Sequence, residues 1–201
     1  MTDVELVVLL DDLGREIGTA PKSSVHGTDT ALHLAFSCHV VDDEGRVLVT
    51  RRALGKTTWP GVWSNSFCGH PRPAEPVLSA VRRRAEYELG IELFDIELAL
   101  PLFRYRATDT SGIVEYEVCP VYTARTNDVP VLNPLEVVDA EWVDPEALAT
   151  SLVATPWAFS PWLVLHAQQP GPFRTPATQE RRAPGARAPR PPSPAWRPTP
   201  R

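Results

Sequence analysis

Apolar and polar positions change period several times along the chain, and those changes mark its elements. Residues 5–10 (ELVVLL) are almost wholly apolar, which predicts a strand. Residues 32–41 (LHLAFSCHVV) and 46–50 (RVLVT) read the same way. They flank Asp42, Asp43, Glu44 and Gly45, a polar set ending in glycine that suits a hairpin turn. Residues 57–73 carry Pro60, Gly61, Gly69, Pro71 and Pro73 and read as loop. The period then lengthens. Val77, Ala80, Val81, Arg84, Ala85 and Glu88 recur at helical spacing within 75–89, Pro76 suits a first turn, and Gly90 is a natural stop. Residues 98–106 and 114–123 return to strand across a turn at 109–112, and 140–143 add a short strand. Residues 145–151 and 161–167, each opened by proline, predict short helices. No internal repeat is visible. The expected fold class is α/β or α+β, a mostly antiparallel mixed sheet sandwiched by helices.

Composition sets the domain plan. The chain has 201 residues, 43% hydrophobic and 22% charged, which suits one globular domain with its own core. From Gln168 onward there are seven Arg, one Glu and ten of the 22 prolines, so this end is basic while the overall charge is −5. A segment such as GARAPRPPSPAWRPTPR supports neither helix nor sheet, because proline lacks an N–H and fixes φ. The expectation is a folded domain over 1–167 and a disordered Pro/Arg-rich tail over 168–201. An acidic body argues against nucleic acid as a partner. No apolar run approaches the ~18 residues that suggest a membrane span, and the acidic start lacks a secretory signal's pattern. Three sparse cysteines, Cys38, Cys68 and Cys119, argue against a disulfide framework and for a reducing, cytoplasmic setting.

Three sets of residues carry candidate chemistry. His26, His33 and His70 could join Glu115 and Glu117, which a strand's period of two places on one face. Three imidazoles with two carboxylates suit Mn, Fe or Zn better than Ca. Taken singly, each histidine reads sooner as a surface or hydrogen-bonded residue, since spacing alone does not bring the five together. Lys22, Arg51, Arg52, Lys56 and Arg82 to Arg84 form a basic set of the kind that binds phosphate. Arg82 and Arg83 fit ordinary surface charge; Arg84, one turn before Glu88, is the better candidate. Cys68 sits beside Gly69 and His70 in an aromatic-flanked loop, where a basic neighbour or a metal would lower a thiol's pKa. Cys38, in an apolar run, reads as a core residue.

Residues 69–91 can be aligned with the Nudix box. Gly69, Glu75, Arg83, Ala85, Glu88, Gly90 and Ile91 fall in register, but Arg84 and Tyr87 replace two of its glutamates. A hydrolase needs those carboxylates to hold the metals that activate water. With those departures, the chain resembles the isopentenyl-diphosphate isomerase family, which shares the fold. The resemblance spans about residues 7–162. It is carried by HLAFS at 33–37, LVTRRA at 48–53, TWPGVWSN at 58–65, CGHP at 68–71, FRYRA at 103–107, EYEVCP at 115–120 and SPW at 160–162. Tyr116 stands where the family usually has Asn; its side chain is expected on the opposite sheet face, away from the chemistry.

The resemblance implies an isomerase that interconverts isopentenyl and dimethylallyl diphosphate through a carbocation, feeding isoprenoid biosynthesis. It implies that His26, His33, His70, Glu115 and Glu117 bind one divalent metal, Mn²⁺ or Zn²⁺. It implies a Mg²⁺ that accompanies the diphosphate, held by Glu88 and the main-chain carbonyl of Cys68. Cys68, Glu117 and Tyr105 are the implied catalytic groups. Lys22, Arg52, Lys56 and Arg84 would hold the diphosphate, and Trp162 would face the cation, although a core or lid aromatic is the commoner role for Trp. The expected partner is a small allylic or homoallylic diphosphate substrate, and the protein is expected to be a monomer. The competing readings are a Nudix-type pyrophosphohydrolase and a binding module without catalysis.

Overall fold

The computed structural model describes residues 4–169, so the Pro/Arg-rich segment expected from 168 lies almost wholly outside the described residues. In chain order the strands are β1 (Leu6–Leu10), β2 (Glu16–Pro21), β3 (His33–Leu34), β4 (Phe36–Val41), β5 (Val47–Arg52), β6 (Trp63–Ser64), β7 (Phe67–Gly69), β8 (Phe94–Leu100), β9 (Arg104–Thr108), β10 (Val114–Val118), β11 (Val121–Arg125) and β12 (Val137–Val143). The helices are α1 (Lys22–Val25), α2 (Val77–Leu89), α3 (Pro145–Ala154) and α4 (Pro161–Ala167), with a 3-10 turn at Pro156–Ala158. The strands form two sheets. The first runs β2-β1-β3-β10-β9, and the second β12-β5-β4-β11-β8, with β6 paired to β5 and β7 to β4. Parallel and antiparallel pairs are mixed, as expected for an α+β sandwich.

Three segments that alternate like single strands are each two strands in different sheets. Residues 32–41 divide at Ala35, 114–123 divide at Cys119 and Pro120, and 98–106 divide at Pro101, Leu102 and Phe103. Proline supplies no N–H, so a ladder stops at Pro120 and Pro101. The first two segments cross together. β3 pairs in parallel with β10, and β4 with β11, while the Ala35 N–H donates to the Val118 carbonyl and the Ser37 N–H to the Pro120 carbonyl. The sheets thus fork along one continuous parallel seam.

β2 was not expected, because it is almost fully exposed and shows no apolar alternation. β6 and β7 lie inside the segment read as loop; at two and three residues they are too short for a period to show. The two polar turns form as expected, with Gly45 at φ +80° and Gly112 at φ +88°. The helix expected over 75–89 begins at Val77 and closes on Gly90 in the left-handed region. α3 extends to Ala154, and the Asp144 carboxylate caps it by accepting from the Glu146 and Ala147 N–H groups.

Helices cover both faces of the second sheet. Leu48 of β5 joins Phe36, Phe67 and Ala80, Val81, Ala85 and Leu89 of α2. Val47 and Val49 point the other way and meet Leu148 and Leu152 of α3 and Leu163 of α4. Each Val, Leu or Phe side chain among them contributes about 1.5–3 kcal/mol when fully buried. A third cluster, Ala35, Tyr105, Cys119 and Trp162, sits at the fork, and all of it but Cys119 lines the cavity described next.

Candidate active site

A cavity of about 500 Å³ opens at the fork. Every catalytic, metal-binding and diphosphate-binding residue implied by the resemblance lines it except His33 and Glu88, while Arg51 of the basic set lies outside it and bonds the Gly61 carbonyl. His26 follows α1, His33 opens β3, His70 follows β7, and Glu115 and Glu117 share one face of β10. One ligand atom from each of His26, His33, His70 and Glu117 lies within 4.8 Å of all the others. Glu117 Oε1 is 3.0 Å from His70 Nε2 and 3.4 Å from His33 Nε2. Glu115 Oε2 is 3.0 Å from His26 Nε2.

Those short distances are not well-formed hydrogen bonds throughout. His26 Nε2, His33 Nε2 and Glu115 Oε2 are buried with no hydrogen-bond partner. Buried polar atoms are normally satisfied, and converging orphaned lone pairs suit a cation. His33 Nδ1 lies 2.8 Å from the Ala31 carbonyl, which places its proton there and leaves Nε2 as a lone pair facing the cluster. The donor set therefore fits a divalent metal. Burial opposes charge on Glu117, yet the His33 and His70 imidazoles hold its carboxyl well below the usual range. Burial would lower His33, but Glu117 raises it; at His70 burial prevails and lowers the imidazole.

Tyr105, 7% exposed, donates its hydroxyl to Glu117 Oε2 at 3.0 Å. Burial, then the Glu117 charge, push that phenol well above its ordinary value. Tyr116 lies on the opposite face of β10, as expected, bonded to Arg104. The Cys68 thiol does not show the lowered pKa expected from its loop. Desolvation pushes it up to about 11. It donates to Asn65 Oδ1 at 3.3 Å and lies 3.3 Å from Ser37 Oγ, so it stands as a neutral thiol.

The basic wall is already balanced by carboxylates. Arg84 donates twice to Glu88 Oε1 and lies 3.2 Å from Glu136 Oε1, while Lys56 pairs with Glu136 Oε2. Lys22 pairs with Glu5. Arg52 donates to the Thr58 carbonyl at 2.8 Å and places its Cζ 5.2 Å from the Trp162 ring centroid. Arg82 and Arg83 bond the Leu93 carbonyl and Glu75 instead. Glu5, Ser37, Thr58, Asn65 and Glu136 escaped sequence reasoning. Thr58, whose hydroxyl donates to Glu115 at 2.6 Å, and Asn65 stood within quoted motifs; nothing local marked Glu136.

Residues 31–163 match the NUDIX domain family. An isopentenyl-diphosphate Delta-isomerase of Agromyces mediolanus is 73% identical over 167 residues, covering 83% of this chain and 81% of that protein. The chain belongs to the isopentenyl-diphosphate Delta-isomerase family. The family's Clavibacter sepedonicus isomerase is 65% identical over 161 residues, covering 80% of this chain and 85% of that protein. A crystal structure of a Deinococcus radiodurans protein superposes with a TM-score of 0.64 at 21% identity, covering 82% of this chain and 98% of the other, and supports the fold alone. As an isopentenyl-diphosphate Delta-isomerase family member the chain is an enzyme on a Nudix α+β fold. Its two departures from the Nudix box touch each other, with Arg84 Cζ 5.0 Å from the Tyr87 ring. Among the described residues no helix is long and apolar enough to cross a membrane.

Proposed function

We propose that this cavity interconverts isopentenyl and dimethylallyl diphosphate, with Cys68 and the Glu117–Tyr105 pair as its two proton-handling groups. The reaction adds a proton to the terminal alkene carbon, leaves a tertiary cation, and removes a proton from the carbon nearer the diphosphate. No atom is gained or lost overall. An unactivated alkene is a weak base, so a positioned acid and a stabilised cation are both required. The observation that carries this reading is that Cys68, Tyr105 and Glu117 line one cavity with four cationic side chains in a chain of this family.

Lys22, Arg52, Lys56 and Arg84 hold the diphosphate, which takes over charges now paired with Glu5, Glu88 and Glu136. Glu117, steadied by the Tyr105 hydroxyl, handles the proton on one side of the substrate, and Cys68 on the other. A divalent ion, Mn²⁺ or Zn²⁺, on His26, His33, His70, Glu115 and Glu117 would neutralise the paired carboxylates and fix Glu117 in place. A Mg²⁺ shared by Glu88, the Cys68 carbonyl and the diphosphate would offset the substrate's charge. Trp162, 2% exposed, presents its ring towards the cation. Trp59 meets Trp162 edge-on at 5.4 Å between centroids and helps exclude the water that would trap the cation as an alcohol. We assign residues 168–201 no part in this chemistry, and we take the working enzyme to be a cytoplasmic monomer.

Incubation with isopentenyl diphosphate, with and without added divalent metal, tests the reading. The expected product is dimethylallyl diphosphate, dependent on metal. Released phosphate would mark a pyrophosphohydrolase, and an unchanged substrate a binding module.

A further inference from the structure

Two of the cavity's groups outside the metal cluster, the Cys68 thiol and the Trp162 indole, come from distant parts of the chain. Cys68 is the middle residue of β7 and Trp162 belongs to α4. Both end on one atom. Asn65 Oδ1 accepts from Trp162 Nε1 at 2.9 Å and from Cys68 Sγ at 3.3 Å. The orientation of this amide is unambiguous. Asn65 Nδ2 faces two carbonyls, Phe67 at 2.7 Å and Cys38 at 3.1 Å, and only an N–H group can meet both. An indole N–H, in turn, can only donate, so it meets this oxygen at 2.9 Å and is shared with Ser64 Oγ at 3.1 Å. The side chain is 0% exposed and does not itself line the cavity.

We propose that Asn65 is a positioning residue for the isomerisation, fixing the thiol of Cys68 and the ring of Trp162 relative to each other through its single carbonyl oxygen. This inference rests on the roles given above to Cys68 and Trp162. Its Nδ2 bonds tie the amide plane to the backbone of β4 and β7, so Oδ1 is fixed to the second sheet. The two groups that meet it are thereby indexed to that sheet. Ser64 Oγ, 3.0 Å from the same oxygen and 2.9 Å from Ser160 Oγ, braces the joint at the start of α4. No other common side chain combines two donors and an acceptor at this length. Aspartate lacks the donors, leucine has no polar atom, and glutamine is one carbon too long. Proton removal beside a cation tolerates little misplacement, and an error near 1 Å costs about a hundredfold in rate.

The test uses the full-length chain loaded with divalent metal. Asn65→Ala is expected to lower kcat by about a hundredfold, with KM for isopentenyl diphosphate within about threefold, because no Asn65 hydrogen bond reaches Lys22, Arg52, Lys56 or Arg84. Trp162→Phe keeps a ring and deletes the N–H. Combined with Asn65→Ala it should lose clearly less than the product of the two separate losses. If Asn65→Ala does not fold, Asn65→Ser takes its place, since its hydroxyl can still donate to one backbone carbonyl but cannot span to both thiol and indole. Near-normal kcat in the folded variant, a rise in KM alone, or fully multiplicative losses each overturn the proposal. Cys68→Ala separates the two levels. If it stays active, the catalytic reading itself has failed; if it is inactive while the Asn65 variant works normally, only this inference has.

Discussion

Lys56 illustrates how one residue's surroundings set the working range of the cavity. Burial lowers its ammonium to about 8, partly opposed by Glu88 and reinforced by the charges of Arg52, Arg84 and Lys22. As pH rises through 8 the free enzyme loses that proton, so diphosphate affinity should decline above pH 8. KM should rise by up to about tenfold per pH unit there, the limit for one required proton. Lys56→Arg, charged throughout, should flatten the profile; a KM of the parent enzyme that is constant from pH 7 to 9.5 would remove Lys56 from the diphosphate site. Glu117→Gln tests the other wall. It keeps the length and one ligand oxygen but loses the charge that His33 and His70 face. It should bind metal about 10–100-fold more weakly and fail to turn over. Metal content after dialysis, read beside turnover, decides this, and parent-like values of both would exclude Glu117 from either role. The chemistry-bearing residue types were legible in the sequence because His, Cys and paired Glu are few. Asn65 and Glu136 were not, because an amide or carboxylate reveals its role only through partners tens of residues away.

Elements, in turn, are held by single close contacts. At Gly69, the end of β7, an added Cβ would stand 2.7 Å from Arg84 Cγ and 3.0 Å from the Phe36 ring. Arg84 cannot swing aside without leaving Glu88 and Glu136. Gly69→Ala should therefore cost about 1–3 kcal/mol of stability and weaken diphosphate binding together. Thermal melting and KM check this, and an unchanged pair of values would show that α2 has room to move. On the sheet's other face α4 docks through His166, whose Nδ1 lies 3.2 Å from His39 Nε2 in β4. Burial lowers His39 to about 3, and it also holds His166 well below its usual value. Both imidazoles are therefore neutral in the fold, whereas the unfolded chain takes up their protons near pH 6.5. Stability is fully present above 6.5 and falls as pH drops from there towards 3, by up to about 1.4 kcal/mol per pH unit for each imidazole. His39→Leu should narrow its stability gap to the parent between pH 7.5 and pH 5; a gap that does not change with pH would contradict this. Alternation and helical spacing located most elements, including the face of α2. They did not show that three strand-like segments each change sheets, because a period of two is the same in either sheet and only Pro101 and Pro120 hinted at the breaks.

At the scale of the whole molecule, the residues given roles here lie between Glu5 and His166, while ten prolines and seven arginines fall from Gln168 onward. Removing residues 170–201 should leave turnover and melting temperature nearly unchanged. A loss of tenfold or more in kcat, about 1.4 kcal/mol of barrier, would make that segment part of the working enzyme. The fold class was legible because helices and strands are so differently patterned. The existence of a fork between two sheets was not, since it depends on residues 33–41 finding residues 117–125. That long-range parallel pairing also sets the order of events at birth. His26, His33 and His70 leave the ribosome well before Glu117, which follows His70 by 47 residues. At roughly 5–20 residues per second His70 waits about 2–9 s, and His26 and His33 longer, for the carboxylate that completes their set. Through that interval β10 does not yet exist to pair with β3, so the nascent chain has no shaped site to select one ion over another. A divalent ion on these side chains would therefore be selected only once β10 has joined the seam.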